Sequence, residues 1–376
     1  MTDPGHLRLH DLTKVYDGSV RAVDGVDLSV AEGEFVTLVG PSGCGKSTTL
    51  RMLAGFVEPT DGVVEMDYTD ITHHLPENRD IGMVFQSIAL FPHKTVKENI
   101  AYGMRVADES YSEAEIDDRV AEMLELIEMP GYQDRMPDQL SGGQAQRIGL
   151  ARALAPQPEI LLLDEPLSAL DEKLRQRMET ELTRIQRELG VTTIFVTHNQ
   201  EEAMTMSDRI VVMDDGEFAQ IGTPTEVYDE PSTQFVGEFM GKSNLFAGTV
   251  DDDGETLVTT RRSITVDADV SPGTEATVLL RPEHISIASE EPMGADNAMT
   301  GTVELVQLTG PTVEYEVRID DETVLTVAEQ STGSTNFADG ESVTVGFDAG
   351  DGSVFVGSDD PAVDETATPE GAMAHE

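Results

Sequence analysis

The residues best suited to chemistry lie in a glycine-rich segment, Gly40 to Ser47, which reads Gly-Pro-Ser-Gly-Cys-Gly-Lys-Ser. It follows an apolar run that predicts a strand, and it opens a segment that predicts a helix. Glycines in such a turn let backbone N–H groups point at phosphate oxygens, and the helix amino end adds a favourable dipole. Lys46 should then reach the β- and γ-phosphates, and the Ser47 hydroxyl should bind Mg²⁺. A glycine-rich turn without a ligand is the weaker alternative.

Two adjacent carboxylates, Asp164 and Glu165, end the apolar run Ile160–Leu163. A carboxylate at the end of a strand beside a phosphate loop suits Mg²⁺ held through water. The next carboxylate can polarise the water that attacks the phosphate. Many strands end in Asp, so the pattern indicates little by itself. Together with the glycine-rich segment it predicts hydrolysis of a nucleoside triphosphate.

A second anion site is predicted at Leu140 to Gln144, which reads Leu-Ser-Gly-Gly-Gln. Ser141 and Gln144 have the spacing of a capping box. A capping Ser, two glycines and the start of a helix together make an anion site. By itself the segment is better explained by an ordinary capped helix. Its place between the glycine-rich segment and the two carboxylates favours the anion site.

In this order the three motifs resemble those of the nucleotide-binding subunit of ATP-binding cassette (ABC) transporters, and the resemblance covers residues 6–240. It implies an ATPase that uses ATP and Mg²⁺. It also implies that two copies assemble head to tail, so that each ATP lies between Lys46 of one subunit and Ser141, Gly142 and Gly143 of the other. ATP binding then closes the dimer, and hydrolysis assisted by Glu165 opens it.

The resemblance implies roles for further residues. Tyr16 matches the aromatic that stacks on adenine, although a half-buried strand tyrosine explains it too. Gln86 matches the glutamine that binds Mg²⁺, alongside Ser47 and Asp164, and links the nucleotide to the permease. His198 matches the switch histidine near the γ-phosphate, although a lone His after a strand is more often a surface residue. Asn199 stands where the family usually has Asp. The residues expected to contact ATP are Tyr16, Gly40, Pro41, Ser42, Gly43, Cys44, Gly45, Lys46, Ser47, Thr48, Gln86, Ser141, Gly142, Gly143 and Gln144; Ser168, Ala169, Leu170 and Asp171 are expected to face the other subunit.

The elements that must position these residues alternate between strands and helices. The predicted strands lie within residues 6–40 and at Ile81–Phe85, Ile160–Leu163, Thr193–Val196 and Ile210–Met213; the predicted helices start at Lys46, Ser112, Ser141 and Asp171 and end near Gly55, Pro130, Pro156 and Gly190. This order predicts an α/β P-loop NTPase cassette over residues 1–240, with a mostly parallel sheet flanked by helices. A helical subdomain is expected at residues 87–155, in which Gly149 stands where the family commonly has a bulkier residue.

The composition changes near Gly241, where helix formers become scarce and short Val/Thr-rich segments begin. These segments are Thr274–Leu280, His284–Ala288, Gly301–Leu308, Val313–Ile319 and Val343–Phe347. They predict a small all-β domain over residues 241–358. Leu280–His284 and Gly301–Val303 resemble segments of the C-terminal OB-like (TOBE) domain of ABC importers. The domain serves either as a spacer or as a regulatory or dimer-stabilising module. Residues 359–376 are polar and acidic, and we expect this tail to be disordered.

The charge balance limits the possible partners. The chain has 376 residues, 72 acidic and 24 basic, for a net charge of -48, which disfavours nucleic-acid binding and docking on anionic lipid. Acidic residues are in excess on both sides of residue 241. An evenly acidic, lysine-poor surface resembles proteins of salt-in halophiles, whose cytoplasm screens charge within about 3 Å at 1 M salt; an ordinary acidic cytosolic protein is the alternative.

Cellular location follows from other features. The single cysteine, Cys44, forbids an intramolecular disulfide and fits a reducing compartment; we assign its side chain no role. No apolar run approaches the ~18 residues of a membrane span, and the first ten residues lack the apolar region of a signal peptide. We therefore expect the protein to be made and kept on the cytosolic side. The resemblance to ABC transporters implies that it lies on the cytoplasmic face of the membrane, bound there through permease subunits.

The run Arg79–Gln86 followed by Ala89–His93 resembles ATPases of importers for polyamines, ferric iron and related solutes. Sugar importers of the maltose type are near neighbours, and the preferred order is polyamine, then sugar, then ferric iron or an oxyanion. The resemblance implies transmembrane permease subunits, contacted through Gln86–Tyr102, and indirectly an extracytoplasmic solute-binding protein.

Two other classes stay open. Soluble ABC ATPases of DNA maintenance or translation insert long coiled coils or join two cassettes, whereas Gln86–Ser141 is short and the chain has one glycine-rich phosphate motif. A non-catalytic nucleotide sensor would not need intact Lys46, Asp164, Glu165 and His198.

Overall fold

The computed structural model describes residues 6–86, 90–106, 111–168, 170–267, 270–289, 294–331 and 336–357. Three sequence expectations lie outside the described residues: Ala169, the first residue of the Ala89–His93 run, and the acidic tail at 359–376. The chain divides into two compact units, Met1–Asp229 and Glu230–Glu376. Within the described ranges, no helix is long and apolar enough to cross a membrane.

The first unit alternates strands and helices, as the sequence predicts. Its strands are β1 (Leu7–Tyr16), β2 (Val20–Val30), β3 (Phe35–Val39), β4 (Asp61–Met66), β5 (Thr69–Asp70), β6 (Ile81–Val84), β7 (Ile160–Asp164), β8 (Thr192–Thr197), β9 (Arg209–Asp214) and β10 (Glu217–Gly222). Its α-helices are α1 (Lys46–Leu53), α2 (Val96–Ile100), α3 (Tyr102–Val106), α4 (Glu113–Leu126), α5 (Gly142–Leu154), α6 (Glu172–Leu189), α7 (Gln200–Met206) and α8 (Pro224–Asp229), and short 3₁₀ turns lie at Pro76–Asn78 and Pro137–Gln139.

A six-stranded sheet with the order β10-β9-β3-β8-β7-β6 forms the centre of this unit. All neighbouring strands are parallel except β10, which pairs antiparallel with β9. Strands β3, β7 and β8 are buried along their whole length, as expected where both faces of a parallel sheet are covered. In β7, Ile160 and Leu162 join one hydrophobic core, and Leu161 and Leu163 join the other. The predicted fold class is confirmed.

This topology places the candidate residues at one edge of the sheet. Parallel strands present their carboxyl ends on the same side, where ligands of open α/β sheets bind. The glycine-rich segment follows β3, Asp164 ends β7 with Glu165 directly after it, and His198 follows β8. Because β8 pairs with both β3 and β7, the three loops are neighbours.

A second sheet in this unit is antiparallel, with the order β2-β1-β4-β5. Its long strands β1 and β2 pair from Leu7↔Val30 to Tyr16↔Val20. The buried residues of these strands share one hydrophobic core with α1.

Local signals start the helices where the sequence predicts. Ser112 and Ser141 both form complete capping boxes, with Glu115 and Gln144 respectively. Asp171 accepts a hydrogen bond from the Leu174 N–H at the start of α6. Each cap satisfies backbone N–H groups that the helix itself leaves without partners.

The second unit begins with α9 (Gln234–Phe239) and continues as two antiparallel sheets. The strands are β11 (Asn244–Val250), β12 (Thr256–Val258), β13 (Ser263–Thr265), β14 (Glu275–Leu280), β15 (Ser286–Ala288), β16 (Asn297–Leu308), β17 (Thr312–Arg318), β18 (Val324–Gln330), β19 (Ser342–Phe347) and β20 (Gly352–Val356). The sheet orders are β13-β12-β11-β14-β20 and β15-β19-β16-β17-β18, and the two sheets share one core.

Two details differ from the sequence expectations. The strand expected at His284–Ala288 starts only at Ser286, because Pro282 fixes a 3₁₀ turn over Pro282–His284. The second unit begins before the expected boundary at 240/241. Arg281 lies in this unit and donates to the backbone carbonyls of Gly237, Gly241 and Lys242 at 2.8–3.3 Å, which ties α9 to the β domain.

Candidate active site

The glycine-rich segment joins β3 to α1 and requires glycine where other strands approach it. A Cβ on Gly40 would lie 2.1 Å from the carbonyl oxygen of Met213 in β9. Gly45 has a φ of 109°, and a Cβ there would lie 2.3 Å from the carbonyl oxygen of Ala22 in β2. Only glycine tolerates both the positive φ and the close approach. The backbone of the loop is therefore held in place before any ligand arrives.

Lys46 begins α1 and directs its ammonium group into the loop. Its Nζ donates to the carbonyl oxygens of Gly40 and Pro41, each at 2.7 Å, and the residue is 5% exposed. A buried ammonium needs such acceptors. Phosphate oxygens accept the same hydrogen bonds and carry negative charge, so Lys46 is placed to bind them.

Ser47 and Asp164 come together across the edge of the sheet, although they lie far apart in the chain. Ser47 Oγ donates to Asp164 Oδ1 at 3.0 Å, and Asp164 is buried. Mg²⁺ prefers hard oxygen ligands, usually with several waters retained. A serine hydroxyl and a buried carboxylate in hydrogen-bond contact are oxygen donors that fit Mg²⁺. The side chain of Gln86, the third expected ligand, contacts Glu165 through its amide nitrogen.

Glu165 occupies a constrained position directly after Asp164. Its φ is 43°, a left-handed conformation that costs a non-glycine residue roughly 1–3 kcal/mol. Its Oε2 accepts a hydrogen bond from Gln86 Nε2 at 2.8 Å and lies 3.6 Å from His198 Nδ1. The carboxylate is thus held between an amide and an imidazole, where it can orient water and accept a proton.

His198 follows β8 and precedes the cap of α7. The Asn199 side chain accepts a hydrogen bond from the Glu201 N–H at 2.8 Å, and Asn and Asp are about equally good caps. The Asn in place of the family's usual Asp therefore leaves this helix start intact. Thr197, before the histidine, donates its hydroxyl hydrogen to Glu202 Oε2 at 2.5 Å.

Sequence reasoning does not single out Thr197 or Glu202. Thr197 ends an apolar strand, and β-branched residues are common there. Glu202 lies in the first turn of a helix, where acidic residues are common because they favour the helix dipole. Its burial, which raises the pKa of its carboxyl, is a property of the tertiary structure that no local pattern signals.

The second predicted anion segment is a capped helix start. Gln144 N donates to Ser141 Oγ at 3.4 Å, and Ser141 N donates to Gln144 Oε1 at 3.0 Å. Gln144 also donates to the Tyr132 hydroxyl at 3.1 Å. Among the described residues, the hydrogen bonds of this cap stay within the helix start and Tyr132. They do not bring the segment to the glycine-rich loop of the same chain.

The segment expected to face another subunit is joined to the carboxylate loop. Ser168 Oγ donates to the backbone carbonyl of Glu165 at 2.9 Å. Leu170 is half-buried, and Asp171 caps α6. A shift of this segment would therefore be transmitted to the backbone at Glu165.

Three of the residues expected to contact ATP have different surroundings. Tyr16 ends β1 with 37% of its surface exposed, and Lys14 Nζ lies 5.1 Å from its ring centroid. The Cys44 side chain is buried, and burial is the main cause that raises the pKa of its thiol. Thr48 is half-buried in the first turn of α1.

Two family models match the chain. The ABC transporter family matches residues 23–168, and the TOBE domain matches residues 278–355. The first match contains the glycine-rich segment, Leu140–Gln144 and the Asp164–Glu165 pair. The TOBE match lies within the all-β unit, as the resemblance of Leu280–His284 and Gly301–Val303 to that domain predicts.

Curated relatives and solved structures agree with these matches. The spermidine/putrescine import ATP-binding protein PotA of Thermobifida fusca is 48% identical over 344 residues, 89% of this chain and 88% of the relative. The xylose/arabinose import ATP-binding protein XacJ of Haloferax volcanii is 49% identical over 294 residues, 77% of this chain and 76% of the relative. The dimeric post-hydrolysis structure of the ATP-binding cassette MJ0796 with ADP and Pi has a TM-score of 0.52 and 35% identity, covering 58% of this chain and 98% of that one. The chain therefore belongs to the ATP-binding subunits of ABC transporters, which hydrolyse ATP to drive transport.

Proposed function

We propose that this chain drives the import of a polyamine, as one of two identical ATPase subunits attached to permease subunits. The observation that carries the catalytic part is the cluster at the carboxyl ends of β3, β7 and β8. There the Ser47 hydroxyl contacts Asp164, and the Glu165 carboxylate contacts Gln86 and lies beside His198.

Each residue of the cluster has a distinct task. Lys46 exchanges the loop carbonyls for β- and γ-phosphate oxygens when ATP binds. Ser47, Gln86 and, through water, Asp164 would hold Mg²⁺, which would neutralise charge on the phosphates. Glu165 orients the attacking water and takes up its proton, and His198 contacts the γ-phosphate. Stabilisation of the transferred phosphoryl group is mainly electrostatic.

A second copy of the chain completes each site. Ser141, Gly142 and Gly143 form a capped helix start whose hydrogen bonds, within the described part of the chain, do not reach its own phosphate loop. The amino end of a helix attracts phosphate. We assign this end to the ATP held by the partner's Lys46, with Ser168, Leu170 and Asp171 at the same interface. The dimeric, ADP-bound relative supports this arrangement.

The solute is assigned from the relatives. The PotA relative, named for spermidine/putrescine import, matches 89% of this chain, against 77% for the xylose/arabinose relative. The higher coverage favours a polyamine, and the comparable identity of the second relative makes a pentose sugar the alternative. In either case the solute passes through the permease, which holds this subunit at the cytoplasmic face through Gln86–Tyr102.

Isolation of the intact complex tests both parts. The full chain is purified from detergent-solubilised membranes, and the co-purifying membrane subunits are identified. The complex is then reconstituted with its solute-binding protein, and ATP hydrolysis is measured with spermidine, putrescine, xylose and arabinose. Stimulation by the polyamines alone supports the proposal. Stimulation by the pentoses identifies the sugar alternative, and the absence of any membrane partner contradicts the role in import.

A further inference from the structure

Glu202 is a buried carboxylate that the catalytic scheme does not use. It lies in α7, behind the loop that carries His198, and its side chain is 5% exposed. Burial raises the pKa of its carboxyl, and the Thr197 hydroxyl and Arg175 oppose that rise. A carboxylate is costly to bury unless it is hydrogen-bonded or paired. The contacts that compensate for its burial therefore indicate which residues Glu202 positions.

The first contact is with Thr197. The Thr197 hydroxyl donates its only hydrogen to Glu202 Oε2 at 2.5 Å and accepts a hydrogen bond from the Asn199 N–H at 3.0 Å. One hydroxyl group thus bridges the residues before and after His198. Because the carboxylate takes the hydroxyl hydrogen, a lone pair is directed to the Asn199 N–H. The backbone on both sides of the histidine is fixed by this pair of bonds.

The second contact is with the helix that follows the subunit-facing segment. Glu202 Oε1 lies 3.8 Å from Arg175 Nε in α6. The Arg175 N–H donates to the Asp171 carbonyl at 2.8 Å, so this arginine sits one turn inside the helix that Asp171 caps. The two oxygens of Glu202 therefore contact two different elements, the His198 loop and the first turn of α6.

We propose that Glu202 and Thr197 are positioning residues for His198, and that Arg175 connects this position to Asp171, the cap of α6. In this arrangement the imidazole keeps its place beside Glu165 only while the Glu202–Thr197–Asn199 bonds are intact. The inference rests on the proposed role of His198 in hydrolysis. It adds a route within one chain by which closure of the subunit interface reaches the histidine.

Thr197→Val is the direct test, because valine keeps the shape of threonine and removes the hydroxyl. We expect kcat for ATP hydrolysis to fall about tenfold or more, because even a small displacement of a group at a reacting centre slows the reaction. KM for ATP should stay within about twofold of the wild type. Thr197→Ser keeps the hydroxyl and should restore kcat. Thr193→Val is the matched control: Thr193 is buried in the same strand, but its hydroxyl donates to the Val191 carbonyl.

The His198→Ala background tests whether Thr197 acts through the histidine. If it does, Thr197→Val should lower kcat no further in that background, because both changes remove the same contribution. A further loss of the same factor in the double variant means independent action and overturns the inference. A His198→Ala protein with wild-type turnover instead refutes the proposed role of the histidine itself, so the two failures are distinguishable.

A second variant covers the case in which Thr197→Val fails to fold. Glu202→Gln loses the negative charge that lies 3.8 Å from Arg175 Nε and keeps one acceptor oxygen. If that oxygen is turned to Thr197, the NH₂ group faces Arg175. We expect a several-fold lower kcat with unchanged ATP binding and an unchanged thermal transition. Wild-type kcat in Glu202→Gln, or equal losses in Thr197→Val and Thr193→Val, would overturn the inference.

Discussion

Replacing Glu165 with glutamine should separate ATP binding from ATP hydrolysis in this protein. Glutamine keeps the size of the side chain and one oxygen, so Gln86 Nε2 retains an acceptor where the carboxylate now lies 2.8 Å away. The substitution removes the negative charge that lies 3.6 Å from His198 Nδ1. The positive φ of residue 165 is equally strained for both side chains. The variant should therefore fold and bind ATP as the wild type does.

Turnover should fall steeply. A positioned general base contributes about 10²–10⁴ to the rate, or roughly 3–5 kcal/mol of activation free energy. Phosphate release from ATP measures this loss. Because ATP persists in the variant, the two subunits should stay closed around it and elute as a dimer in size-exclusion chromatography with ATP and Mg²⁺. Wild-type protein should elute as a dimer only transiently or in part.

Glu159→Gln is the matched control. Glu159 directly precedes β7, which Glu165 follows, and its side chain is exposed. The substitution therefore makes the same change in net charge at the opposite end of the same strand. We expect near-wild-type phosphate release from this control. Turnover of Glu165→Gln within tenfold of the wild type would refute the assignment of Glu165 as the base.

Three further predictions concern stability and assembly. The net charge of -48 implies strong self-repulsion. Circular dichroism and phosphate release, measured from about 0.1 to about 3 M KCl, should therefore show structure and activity only where salt screens the charge well. Full structure and activity at the lowest salt concentration would contradict this. Gly149→Ala should raise the free energy of unfolding by about 0.5–1 kcal/mol, because glycine within a helix is less stable than alanine by about that amount. The added Cβ has room: among the described residues it meets nothing within 4 Å outside its neighbours and the backbone of its own helix. An unchanged or lower free energy of unfolding in denaturant titrations would contradict this. A chain ending after Asp229 keeps every candidate catalytic residue and should still bind ATP. If the β units hold the dimer together, its turnover should depend more steeply on protein concentration than that of the full chain. Loss of ATP binding in a folded truncated chain contradicts the first expectation, and an unchanged concentration dependence contradicts the second.

Features with short-range causes were predictable from the sequence. The caps at Ser112, Ser141 and Asp171 depend on bonds between residues three apart, so the pattern of residue types contains the whole interaction. The glycine-rich loop is similar, because its glycines and its place between a strand and a helix are visible in the chain. Alternating strands and helices likewise indicated a parallel sheet.

The short strands of the second unit were less predictable. Strands β12, β13 and β20 are three to five residues long, and such segments carry too few residues for an alternation to stand out. Their pairing with neighbouring strands stabilises them. The start of the unit was missed for a related reason: the side chain that holds α9 in place, Arg281, follows it by about forty residues in the chain.

The sequence by itself determined which residue types are available for catalysis, and the tertiary structure decided which of their atoms meet. Ser47 and Asp164 are separated by 117 positions and Gln86 and Glu165 by 79, yet each pair shares a hydrogen bond. These meetings depend on the order in which β3, β8, β7 and β6 pair. The burial of Glu202 behind His198 depends likewise on the packing of α6 against α7. A long-range contact results from the packing of many residues at once, and no local pattern in the chain contains it.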